Sequence, residues 1–102
     1  MHRERAFRGI SRRLAVHYLQ DMGGQALDDD GEPVEDGGET PEAAARVDRV
    51  VADAWTASLA TEAVDVGPTL QLTEVTVGFH GDDDAVEEVV ERFARKAMRA
   101  GG

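Results

Sequence analysis

The chain has 102 residues and a net charge of -10, from 21 acidic and 11 basic side chains. It has no cysteine, which excludes disulfides, thiolate metal sites and cysteine nucleophiles. No apolar run approaches the ~20 residues of a membrane span, and the Arg-rich start lacks the apolar region of a secretory signal. The expectation is therefore one domain of residues 1–102, cytoplasmic, with no membrane partner.

In chain order, Phe7, Ile10, Leu14, Tyr18 and Met22 recur at spacings of three and four. They predict a helix over residues 3–22, stopped by Gly23-Gly24. Ser11 offers the alternative of an N-cap, which leaves residues 3–8 as an arm or short strand. Residues 28–39 carry seven acids, three Gly and Pro33 and read as an acidic, flexible loop reaching to about residue 42. Within it, Thr40-Pro41 can start a short helical turn.

From Val47 the period becomes two, and residues 47–51 and 54–64 read as strands. Gly67-Pro68 marks a turn. Residues 69–80 read as a long strand with a phase slip, because Leu70 and Leu72 are even while Val75, Val77 and Phe79 are odd. A bulge near Thr73-Glu74 would keep both sets on one face; continuous pairing is the rival. Residues 84–99 form a second helix, with Val86, Val89, Val90, Phe93, Ala97 and Met98 as its stripe and acids first, bases last. The predicted fold is α+β in two layers: an antiparallel sheet of about three strands with the N- and C-terminal helices on one face, in the order α-β-β-β-α. Which face of strand 54–64 is buried stays open. One choice exposes Trp55, Ala57, Leu59 and Ala63, the other Thr56, Ser58 and Glu62.

The composition resembles that of cytosolic proteins from extreme halophiles. Acids are dense, Lys occurs only at Lys96, Ile only at Ile10, and Asn not at all. Surface carboxylates keep such proteins hydrated where salt screens charge over only ~3 Å. Nine of the 11 basic residues lie at the two ends. Arg5, Arg8 and Arg12 share one side of the predicted first helix, with Arg13 adjacent. They form a candidate anion or partner site for nucleic acid or an acidic protein. The alternative pairs them with the chain's own carboxylates or with a second copy.

Catalytic and metal chemistry find little support. EF-hand registers built on Gly31 or Gly37 place Ala, Val or Gly where oxygen ligands are needed. No phosphate loop, nucleophile elbow or paired-histidine spacing occurs, so no cofactor or metal is expected. A small enzyme would place its site between the first helix and the sheet. The candidate polar cluster there is His17, Glu74 and His80, with Tyr18 nearby. Gly101-Gly102 closes the sequence. This pair resembles the tails of ubiquitin-like modifiers and sulfur carriers of the β-grasp family. The resemblance implies a carrier whose terminal carboxylate is activated as an adenylate. In that family the tail leaves a final strand, whereas here it follows a predicted helix, for which Gly is the ordinary stop. The reading that best fits the whole chain is a non-enzymatic binding or self-associating module, with a homodimer as the simplest partner.

Overall fold

A computed structural model describes the backbone of residues 1–101 and the side chains of residues 1–34 and 37–99. The chain runs β1 (His2–Arg8), α1 (Arg12–Asp21), β2 (Gln25–Leu27), a 3-10 turn (Glu35–Gly38), α2 (Pro41–Ala45), β3 (Arg49–Val51), β4 (Trp55–Asp65), β5 (Gln71–Gly81) and α3 (Asp83–Gly101). The five strands form one antiparallel sheet in the order β1-β5-β4-β3-β2. The expected three-stranded α-β-β-β-α arrangement is therefore corrected: the protein is α+β, but the sheet has five strands and the chain opens with one of them.

The N-terminal correction has a local cause. Gly9 sits at φ 88, a left-handed value that ends any helix started before it. Ser11 is extended, and its side chain accepts from the Leu14 N–H at 3.1 Å, so α1 begins at Arg12. A helix over residues 3–8 would have set Arg3, Arg5 and Arg8 against the positive end of its dipole. As a strand, the same residues pair with β5 from His2↔His80 to Arg8↔Glu74. Of the other strands, β3 keeps three of the five residues read as a strand at 47–51, and β2 spans three residues, too short for a period to declare itself.

The long β4–β5 ribbon takes the rival of the two pairings the sequence left open. Its register runs unbroken from Trp55↔Gly81 to Asp65↔Gln71, with no bulge at Thr73-Glu74. Odd positions of both strands therefore share one face, and even positions share the other. The odd face carries Trp55, Ala57, Leu59, Val75, Val77 and Phe79, all buried beneath the helices. This decides the facing of β4: Thr56, Ser58 and Glu62 lie on the side opposite the helices. Leu70 and Leu72, being even, are exposed.

Phe93 of α3 sits at the centre of the core. Its ring lies 5.0 Å from Phe7, 5.9 Å from Phe79 and 6.1 Å from Tyr18. Val86, Val89, Val90 and Ala97 extend the buried stripe of α3, while Met98 is exposed. From α1, Ala15, Val16 and Leu19 close the other side. The acidic 28–42 segment is anchored to this core through buried Val34, Ala43 and Ala44, and Val34 N–H donates to Ala26 O at 3.0 Å.

Candidate functional site

The four candidate arginines do not share a face. Arg5 is at an odd position of β1, on the helix side, where with Arg3 it borders Glu87 and Glu91 of α3. Arg8 is at an even position, on the opposite face, and its Nε donates to Glu74 at 2.9 Å. Arg12 and Arg13 lie at the start of α1. A strand in place of the predicted helix sends alternate side chains to opposite faces, which breaks up the predicted row.

The His17–Glu74–His80 cluster is likewise not assembled. His17 is on α1 and pairs with Asp21 at 3.4 Å. Glu74 and His80 lie at even positions of β5, on the face away from α1. Glu74 is held by Arg8, and His80 Nδ1 lies 2.9 Å from His2 Nδ1. Among the described residues, the one grouping with metal-ligand geometry is Asp28, Asp29 and Asp30. Asp28 Oδ1 already accepts from the N–H groups of Asp30 and Glu32, both at 2.9 Å, and so closes a turn.

Arg12 ties three elements together. Its Nε donates to Ala44 O at 3.1 Å and its Nη1 to Thr61 Oγ1 at 2.8 Å. Its Nη2 donates to Val47 O and, at 3.5 Å, to Leu59 O. Burial lowers its pKa from the ordinary value, and the nearby Asp48 carboxylate opposes that shift. The planar fork of Arg suits a site that must satisfy several carbonyls at once. Arg13 donates to Glu39 O at 3.3 Å. Beside these two residues is a cleft of about 500 Å³, lined by Ser11, Arg12, Arg13, Ala44, Ala45 and Thr61. Alanines and arginines supply most of its lining, which also includes Pro41.

The cleft adjoins an unpaired sheet edge. Ala52 N–H donates to Trp55 O at 2.8 Å, and Leu59 N–H donates to Asp48 O at 3.1 Å. Odd residues of β4 thus turn their main-chain groups toward the β3 side. Pairing with β3 ends at Ser58. Among the described residues, the main-chain N–H and C=O groups of Thr61, Ala63 and Asp65 continue in that direction with no strand beside them. On the even face, the tip of the ribbon carries Val64 opposite Leu72. Val66, Leu70 and Leu72 beside them are 39%, 56% and 36% exposed.

Sequence reasoning missed Thr61, Ala63 and Asp65 as a group. One signal was present: the predicted strands at 54–64 and 69–80 were more than twice as long as the one at 47–51, so part of the ribbon had to outrun its neighbours.

No helix of the described residues is long and apolar enough to cross a membrane. No curated protein matches the sequence, and no solved structure matches it. A family model does match, over residues 3–102, which takes in every residue of the cleft and edge and every element except the first residue of β1. On that coverage the chain belongs to the archaeal MoaD-like protein family.

Proposed function

We propose that this protein is a non-enzymatic binding module that takes a protein strand along the outer edge of β4. The observation that carries the reading is the open edge of Thr61, Ala63 and Asp65, bordered by an arginine-lined cleft on one face and exposed aliphatic side chains on the other. Unpaired N–H and C=O groups in a row are a template for another strand. The flanking side chains supply the selectivity that main-chain bonds lack. The composition supports a cytosol of high salt as the setting, where main-chain bonds and apolar contact outlast long-range charge attraction. The dispersal of Arg5, Arg8 and Arg12 onto different surfaces favours a protein partner over nucleic acid.

The test is an affinity purification of N-terminally tagged protein at multimolar KCl, comparing the native chain with Ala63→Pro. The Ala63 N–H points away from β5, so proline removes an outward donor and leaves the ribbon's own ladder. A protein retained by the native chain and lost with the variant supports the reading. Equal retention of every protein by the two chains overturns it.

A second reading is favoured by the family match, which runs through Gly101-Gly102. The chain would then be a carrier with its terminal carboxylate activated as an adenylate. Against it stands α3, which continues to Gly101 where a carrier's tail leaves a strand; Gly102 lies outside the described residues. Deleting Gly101 and Gly102 separates the readings. A carrier loses its thiocarboxylate or conjugates, whereas an edge-binding module keeps its partner.

A further inference from the structure

We propose that the strand taken by the β4 edge is β4 of a second copy of this chain, paired antiparallel about a two-fold axis at Ala63. The inference rests on the edge-binding reading and names its occupant.

The register follows from the main chain. Among the described residues, only Thr61, Ala63 and Asp65 of β4 present outward groups beyond the end of β3. An axis at Ala63 matches all three at once: Thr61 meets Asp65 of the second copy, Ala63 meets its equivalent, and Asp65 meets Thr61. In each of these pairs the two residues exchange both N–H···O bonds. An axis at Thr61 or Asp65 leaves donors unmatched, and the latter sets two Asp65 carboxylates against each other. The result is one continuous sheet of ten strands, five from each copy.

The side chains agree with that register. Odd positions face the helix side, so Asp65 of the second copy comes to lie over Thr61, beside the cleft lined by Arg12 and Arg13. The two-fold repeats this pairing of opposite charge on the other side. At the axis the facing residues are alanines, which let the strands close. On the even face Glu62 stands opposite Val64 of the second copy rather than another Glu62. Half-buried Val64 and exposed Val66, Leu70 and Leu72 of the two tips then form one apolar stripe across the junction, which gives these side chains a common purpose. Each copy carries -10, so high salt, which screens that repulsion, favours the pair.

The test uses the full chain at multimolar KCl and measures mass in solution by sedimentation equilibrium. The native chain is expected to be a dimer, Ala63→Pro a monomer with an unchanged circular dichroism spectrum, and Asp65→Arg to raise the dissociation constant about two- to fivefold, the modest effect of an exposed pair in high salt. Arg13→Asp combined with Asp65→Arg is expected to restore association, since the swap re-forms the opposed charges; this pair of variants decides the matter should the proline variant fail to fold. The absence of native cysteine gives a direct check of register. Residues exchanging both bonds sit about 5.5 Å apart at Cα, within the span of a disulfide. Oxidised Ala63→Cys should therefore cross-link through itself and Ala60→Cys should not. A native chain that stays monomeric overturns the dimer while leaving the edge-binding reading to its own test. A dimer indifferent to both Ala63→Pro and Asp65→Arg overturns this interface. If Ala63→Pro also leaves partner capture unchanged, both readings fall together.

Discussion

The two halves of the β4–β5 ribbon share a register, a residue vocabulary and a backbone geometry, yet they live in different media. In the inner half, Trp55, Ala57 and Leu59 of β4 face Gly81, Phe79 and Val77 of β5, with β3 and β1 on the flanks and helices above. In the outer half, Val64 and Leu72 face each other with neither a helix nor a flanking strand among the described residues, and β4 has company on one side only there. The inner half is there to be covered by the chain itself. The outer half carries aliphatic side chains and open main-chain groups that the chain does not cover. The difference teaches that the length of these strands exceeds what the core requires, and that the excess is where interaction is to be sought.

Substitutions should divide along that boundary. The largest effect is expected for Phe93→Ala, which empties the point where Phe7, Phe79 and Tyr18 converge. A loss of about 3–5 kcal/mol is expected from a buried Phe. Urea titration at fixed KCl measures it, and a shift below 1 kcal/mol would show that the core is not centred there.

Arg12→Ala comes next. It leaves Ala44 O, Val47 O and Leu59 O without their shared donor at the junction of α1, α2 and the sheet. Hydrogen bonds to a charged group contribute roughly 1.5–3 kcal/mol, and that range is the expected loss. Arg12→Lys should recover only a minor part, because an ammonium lacks the planar fork. Full recovery by Lys would mean that the residue acts by charge alone.

Ser11→Ala should cost about 1 kcal/mol, the ordinary value of an N-cap, and Ser11→Asp should cost much less because aspartate caps equally well. Thermal unfolding compares the two. The same residue shows how the sequence divides into legible and illegible parts. Ser11 was readable as a cap, but the spacing of Phe7, Ile10 and Leu14 imitated a helical stripe across it and Gly9. Phe7 and Leu14 do meet the same core, one from a strand and one from a helix. Periodicity records which residues reach the core and is silent on the path between them. By contrast, α3 was plain, since its stripe, its acidic start and its basic end agree. The strand β2 was invisible, because three residues carry no period and its existence depends on β3 beside it, while β3 was read two residues too long. For the same reason no motif could announce the open edge. It is defined by where a neighbour stops, a relation between segments rather than a property of one. The arginine patch failed with the helix that was to carry it, and of its four members only Arg12 and Arg13 remain together at the cleft.

The smallest effect on stability is expected for Leu70→Ser combined with Leu72→Ser, and this pair sharpens the comparison most. Both residues belong to the β5 end of the ribbon and are at least a third exposed, so their removal from the unassociated chain should change stability by no more than about 0.5 kcal/mol each. Val77→Ser, only a few positions along the same strand, places a hydroxyl in a fully buried site and should cost several times as much. Sedimentation should reverse the ranking. The Leu70/Leu72 variant is expected to associate more weakly than the native chain, because the apolar stripe across the two-fold loses its members while the main-chain pairing survives. Equal association of the two would confine the interface to the backbone and the Asp65–arginine pairing, and would leave the exposed leucines of the tip without a role in it.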